Sequence, residues 1–239
     1  MTPIVMVHGF LGGSRQWERQ MDAFGGNELI ALDLPGFGEN ADMEAFESIE
    51  DYAGWVLGEL DSRGVDKFHL LGHSMGGMVA QEIVSQAPDR VEKLVLYGTG
   101  PTGLLPGRFE TIDTSIQRAN ADGARATARR IAATWFLEEA NAAAYSDCAE
   151  IAEQTSLGAI LAGLKSMQGW SGIERLNKIE NKTLVLWGDQ DRTYPWSQTE
   201  CLWTSICGAR LAVVPNSAHA THLEKPHIFN DLVSDFILT

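Results

Sequence analysis

The sequence predicts an α/β protein: a doubly wound, mostly parallel sheet of about six strands with an inserted helical cap. Three observations lead there. Short apolar runs of strand length recur along the chain and are continuous rather than alternating, as in strands buried on both faces. Segments with apolar residues at helical spacing lie between them, and right-handed crossovers then put helices on both faces of one sheet. One long stretch, 99–181, breaks this rhythm and holds no clear strand.

The elements follow in order. Ile4-Val5-Met6-Val7 is the first strand and runs into His8-Gly9-Phe10-Leu11-Gly12-Gly13. A helix carrying Trp17 and Met21 comes next, with Ser14 as its N-cap. Leu29-Ile30-Ala31-Leu32 is the second strand and ends in the turn Asp33-Leu34-Pro35-Gly36-Phe37-Gly38. From Ser48 to about Arg63, Ile49, Tyr52, Ala53, Val56, Leu57 and Leu60 recur at helical spacing. The third strand covers 67–71, a helix runs from Ser74 to about Gln86, and Val91 to Tyr97 is the fourth strand. The Ala-rich stretch 99–181, with Arg118, Arg125, Arg129 and Arg130, reads as several short helices. The rhythm resumes with a strand at 183–187, a helix from Trp196 to Ile206, a strand at 211–214 and an amphipathic helix over about 226–237. Residues 1–98 and 182–239 therefore form the core, and 99–181 the cap. Ligands of such sheets bind outside the carboxyl ends of the strands, the edge on which the segments after 4–7, 67–71, 183–187 and 211–214 open.

The 239 residues suffice for one such domain, and a hydrophobic fraction of 44% is ordinary for a globular chain. A net charge of −14 disfavours nucleic acid and anionic membranes as partners, since both repel it. Cys148, Cys201 and Cys207 show neither metal nor redox spacing and read as fillers or surface thiols. Met1-Thr2-Pro3 leads straight into a strand without the pattern of a secretory leader, and no apolar run reaches membrane-spanning length, so a cytoplasmic protein is expected.

Chemistry concentrates in Gly72-His73-Ser74-Met75-Gly76-Gly77, a G-x-S-x-G turn between a buried strand and a helix. Such a turn holds its serine in a strained backbone geometry at the positive end of a helix, with glycines wherever a Cβ would strike neighbouring backbone. An unactivated serine is a poor nucleophile; it needs a base in reach and a group to orient that base. Downstream, Trp187-Gly188-Asp189-Gln190-Asp191-Arg192-Thr193-Tyr194-Pro195 offers two aspartates. Asn216-Ser217-Ala218-His219-Ala220-Thr221-His222-Leu223-Glu224-Lys225-Pro226 offers two histidines. Spacing alone does not choose between Asp189 and Asp191, or between His219 and His222. His8 reads as a loop anchor, and His73 as a packing or hydrogen-bonding group within the elbow.

With these motifs in place, the chain resembles the α/β-hydrolase family, in its compact esterase and ring-cleavage-hydrolase group, over nearly everything outside the cap. The resemblance assigns the acid to Asp191, from a G-x-x-D pattern, and the base to His219, from an H-x-x-H-L-E-x-P pattern. It implies a Ser74–His219–Asp191 triad and an oxyanion hole from the N–H groups of Phe10 and Met75. The turn at 33–38 departs from the commoner R-G-x-G-x-S form, with Pro35 in place of the arginine and Asn40 where serine is often found. The family often begins with an antiparallel hairpin, whereas this chain begins at what looks like the third strand. One sheet edge is then less protected and is a candidate interface, which fits a monomer or a homodimer.

The expected function is hydrolysis of a carboxylic ester, lactone or thioester through an acyl-enzyme. The pocket candidates are Leu11, Leu104, Leu105, Phe109, Trp135, Phe136, Leu161, Leu164, Met167 and Trp170, which together suit an apolar acyl or aryl group. One cap arginine turned inward would suit a carboxylate. The alternatives are C–C hydrolysis of a ring-cleavage diketone, for which Phe10-Leu11-Gly12-Gly13 replaces the usual S-G-P-G loop, and a menaquinone-pathway synthase-like enzyme, for which Met78-Val79-Ala80 lacks the usual arginine. Haloperoxidase-like chemistry and a receptor without turnover share the fold. The expected partner is a small ester-like molecule, without cofactor or metal. Activity is expected to survive chelators and to rise with pH as the base loses its proton.

Overall fold

The computed structural model describes residues 1–239 except 22, 25 and 105–107. Six strands form one sheet: β1 (Ile4–Val7), β2 (Leu29–Leu32), β3 (Phe68–His73), β4 (Val91–Tyr97), β5 (Lys182–Gly188) and β6 (Arg210–Val214). Their order is β2-β1-β3-β4-β5-β6, and every neighbouring pair is parallel. Successive residues of a strand point to opposite faces, so one apolar run feeds two cores. Val5, Val7, Leu70, Leu94, Leu96 and Val185 pack on one side with α1 (Ile49–Ser62) and α2 (Met75–Gln86). Ile4, Met6, Leu71, Val95, Leu184 and Leu186 pack on the other, against Trp17 and against Phe229, Val233 and Phe236 of the helix at Pro226–Leu238.

Local chemistry explains most boundaries. Ser48 caps α1 by accepting from Asp51 N–H at 3.1 Å, and Glu50 and Asp51 place negative charge on the helix's positive end. The segment after β1 corrects the sequence reading: Ser14–Gln20 is a 3₁₀ helix, and Ser14 opens it rather than capping it. Its N–H donates to Asp33 Oδ1 at 2.8 Å, and this tie to the turn after β2 sets the local geometry.

Between β4 and β5 lie α3 (Ile112–Asp122), α4 (Ala124–Ala133), α5 (Tyr145–Glu153) and α6 (Leu157–Gln168). The segment leaves and rejoins the sheet side by side: Gly103 N–H donates to Trp170 O at 3.0 Å, and Gly172 N–H to Pro101 O at 2.8 Å. Trp170 Nε1–H and Arg175 both donate to buried Glu82 of α2, locking the return to the core. After β5 come α7 (Trp196–Ser205), α8 (Thr221–Glu224) and α9 (Pro226–Leu238). Among the described residues, no helix is long and apolar enough to cross a membrane.

Strand order reverses between β1 and β3, because β1 leads outward to β2 and β3 leads the other way to β4. The loops leaving those two strands part there and open a crevice at the carboxyl edge. The chain's Gly-rich loop 8–13 and the Ser74 elbow are the two loops in question.

Candidate active site

Ser74 joins β3 to α2 with φ 57° and ψ −122°, a region costly for any residue with a Cβ. The surroundings hold it there. Ser74 N–H donates to Tyr97 O at 3.0 Å, and the Thr99 hydroxyl donates to Ser74 O at 2.7 Å. The turn is tight enough that a Cβ on Gly72 would lie 2.3 Å from Gly76 O, and one on Gly76 would lie 2.3 Å from Val7 O. The loop after β1 presses equally close: a Cβ on Gly9 would sit 2.8 Å from Ser74 Cβ. That approach packs the loop carrying Phe10 against the elbow, and Phe10 and Ser74 border one cavity next to the start of α2 at Met75.

The other candidates converge from the loops after β5 and β6. His219 Nδ1 lies 2.8 Å from Asp191 Oδ2, with both side chains buried. Asp191 Oδ1 accepts from Thr193 N–H at 2.7 Å and Tyr194 N–H at 3.1 Å. With one oxygen held by two amides, the other has a fixed direction, and His219 must present Nδ1–H to it. Asp189 faces elsewhere, accepting from Ser217 N–H at 3.3 Å. The Tyr194 ring stacks on His219 at 5.7 Å between centroids. Burial pushes the Tyr194 phenol up to about 12, with the Ser74 hydroxyl opposing. Ser74 and His219 border one cavity but make no hydrogen bond to each other.

The motif after His219 has a structural reason. Glu224 Oε2 accepts from Ala218 N–H and Oε1 from Leu137 N–H, both at 2.7 Å, so one carboxylate ties the histidine loop to the segment between β4 and β5. The His219 carbonyl accepts from Tyr97 OH at 2.7 Å and from His73 Nε2 at 3.1 Å. His222 turns away, with Nδ1 3.1 Å from Tyr97 OH and its ring against Trp17. His8 anchors its loop: Nδ1–H donates to Gly9 O at 2.7 Å, and Nε2 accepts from Leu34 N–H at 3.0 Å. Among the described residues there is no group of three or more His, Cys, Asp or Glu side chains able to hold a metal.

Burial forces His73 and His222 to stay neutral. His73 is held well below the ordinary histidine value by burial and then by His219 and His222; burial, His219 and Arg19 bring His222 down to about 3. Unfolded, both titrate near 6.5. Below that pH the unfolded chain binds protons that the folded one refuses, so stability is full above about 6.5 and falls towards about 3 for His222, by at most about 1.4 kcal/mol per pH unit for each ring. In thermal melts between pH 7 and 5, His222→Asn is expected to lower Tm overall and to show a shallower loss with acidification. An unchanged slope would show that His222 is not the titrating group.

The cavity at Ser74 and His219 is small, about 20 Å³, and is walled by Phe10, Arg108, Phe109, Ile112, Ile131, Trp135, Met167, Thr193 and Tyr194. Of the pocket candidates from sequence, Phe109, Trp135 and Met167 line it. Leu11 and Phe136 do not: both are completely buried in the core. Trp170 is committed to Glu82, Leu164 is buried and Leu161 packs beside it, because α6 buries this face against the rest of the protein. Leu104 is 67% exposed and borders a neighbouring hollow of about 460 Å³. Leu105 lies outside the described residues. Arg118, Arg125, Arg129 and Arg130 turn to Glu110 and Glu153 rather than to the cavity. Sequence reading missed Arg108 and Tyr194; the latter's only signal was its place three residues after Asp191.

Comparison with known proteins agrees with this architecture. The profile of the alpha/beta hydrolase fold matches residues 2–226. The chain is 28% identical over 250 residues to 2-hydroxy-6-oxo-6-phenylhexa-2,4-dienoate hydrolase of Comamonas testosteroni, covering 98% of this chain and 87% of that one. An esterase from Exiguobacterium antarcticum superposes with a TM-score of 0.91 at 20% identity, covering 100% of this chain and 92% of that one. The enol-lactonase from Burkholderia xenovorans LB400 superposes with a TM-score of 0.88 at 21% identity, with the same coverage. The all-parallel sheet, the helical segment between β4 and β5 and the match along almost the whole chain together make this protein a member of the α/β-hydrolase fold family.

Proposed function

We propose that the protein is a serine hydrolase that cleaves a carboxylic ester, lactone or thioester through an acyl-enzyme. The observation that carries this reading is the buried 2.8 Å pairing of His219 Nδ1 with Asp191 Oδ2 at the cavity that also holds the strained Ser74. Asp191 keeps the proton on Nδ1, which leaves Nε2 as the acceptor for the serine proton. Ser74 Oγ bonds to the carbonyl carbon as its proton passes to Nε2. The Phe10 and Met75 amides receive the developing oxyanion, each worth about 3–4 kcal/mol in comparable sites. The leaving alkoxide takes the proton from Nε2; water then repeats the sequence, releases the acid and restores Ser74. The mechanism requires a hydrogen bond from the Ser74 hydroxyl to His219 Nε2 in the substrate complex.

The likeness to the Comamonas hydrolase supports a second reading, C–C cleavage of a ring-cleavage dienoate by the same residues. Assay of p-nitrophenyl esters of increasing acyl length beside one such dienoate separates the two. Ester turnover with a burst of p-nitrophenolate equal to the enzyme concentration is expected. Cleavage of the dienoate without any ester turnover would replace the first reading by the second.

A further inference from the structure

Arg108 lies between β4 and α3 and borders the cavity of Ser74 and His219. Its Nε and Nη1 are shut off from solvent and have no hydrogen-bond partner among the described residues. Nor does it join an ion pair among those residues, unlike the four arginines of α3 and α4: Arg118 and Arg130 reach Glu110, and Arg125 and Arg129 reach Glu153. Glu110, two positions along the chain, is already committed to Ser115, Arg118 and Arg130. What Arg108 does have is the Phe109 ring, 4.6 Å from its guanidinium carbon, and a ring face offsets a buried cation less than an anion does. Burial draws its pKa down, with Tyr194 and Glu110 opposing and Arg130 adding.

A guanidinium left without an anion beside a nucleophile is costly to keep unless a ligand completes it. Its planar fork matches a carboxylate through two parallel hydrogen bonds. Ile112, Ile131, Trp135 and Met167 offer no charge of their own, so Arg108 is the cation on this wall. Arg108 and Ile112 also border the neighbouring hollow, where Glu110 and Asp113 repel anions. An anionic ligand is thereby directed to the inner side. Arg108 and Ser74 border the same small inner space, so a ligand that reaches both carries its carboxylate close to the group that Ser74 attacks.

We propose that Arg108 is a substrate-binding residue and that the substrate is a short acyl compound bearing a carboxylate: a half-ester of a small dicarboxylic acid, or a lactone acid. This rests on the serine-hydrolase reading above and deepens it. The carboxylate docks on the guanidinium and so sets the scissile carbonyl over Ser74.

The test compares mono-p-nitrophenyl succinate with p-nitrophenyl butyrate, which have acyl chains of equal length with and without the charge. Wild-type kcat/KM is expected to favour the half-ester. Arg108→Gln is expected to cut the ratio of the two values by about 10- to 100-fold, chiefly through the KM of the half-ester, and Arg108→Lys to cut it less. Free succinate is expected to inhibit butyrate ester hydrolysis by the wild type competitively, a measurement that needs no variant. Turnover of both esters without preference, a ratio untouched by Arg108→Gln, or no inhibition by succinate overturns the proposal and leaves the hydrolase reading standing. Failure to turn over either ester overturns the hydrolase reading, and the proposal with it.

Discussion

Ser74→Ala is expected to reduce p-nitrophenyl ester turnover by about four to six orders of magnitude and to remove the burst, while the protein stays folded. On the proposed mechanism the loss is large because the serine supplies the bond of the covalent intermediate, and the proposed Phe10 and Met75 donors and the cavity would supply only the residual rate. Folding survives because Ser74 contributes no side-chain hydrogen bond as the residue preceding α2. Ser74→Gly is expected to be equally inactive yet more stable than Ser74→Ala. At φ 57° and ψ −122° a Cβ costs about 1–3 kcal/mol, and the extra freedom of glycine in the unfolded chain returns only about 0.4–1 kcal/mol of that. Kinetics with urea unfolding on the same preparations reads both effects. Wild-type turnover in Ser74→Ala would end the case for a serine nucleophile. A glycine variant no more stable than the alanine one would show that the elbow stores no strain.

Asp191→Asn is expected to reduce kcat by about 10⁴-fold, whereas Asp189→Asn changes it little. The difference lies in what each carboxylate holds. Asp191 Oδ1 accepts from the Thr193 and Tyr194 amides, so an asparagine there keeps its oxygen on those donors and turns its NH₂ towards His219. Nδ1 must then become an acceptor, the proton moves to Nε2, and the base facing Ser74 is lost through the wrong tautomer. Among the described residues the Asp189 carboxylate accepts only from Ser217 N–H, at 3.3 Å, and asparagine still offers an oxygen there, so its cost is a fraction of one hydrogen bond, about 1 kcal/mol of stability or less. Steady-state kinetics on the two variants decides the matter; equal losses would unseat Asp191 as the orienting acid.

The sheet was legible because its signals are local. A strand buried on both faces must be apolar throughout, and β1, β3 and β5 read that way without reference to any partner. Ser48 announced the start of α1 because a cap is a contact across three residues. Ser14 misled for the same reason: its N–H goes to Asp33, nineteen positions away, and no local rule foresees that partner. The large apolar residues between β4 and β5 were indistinguishable by type. Trp135 lines the cavity while Trp170 serves Glu82, a difference set by where each helix face lands.

By itself the sequence determined the six parallel strands, the place of the helical segment between two of them, and the order in which a serine, a pair of aspartates and a pair of histidines leave the carboxyl edge. Those are properties of periodicity and of short spacings, which the chain carries before it folds. Only the tertiary structure decided which carboxylate meets which imidazole, that His222 packs on Trp17 while His219 borders the cavity, and that Arg108 stands there without an anion among the described residues. Each of these depends on distances between segments far apart along the chain. The fold sets those distances to within an ångström, and hydrogen bonds and charges are sensitive on that scale.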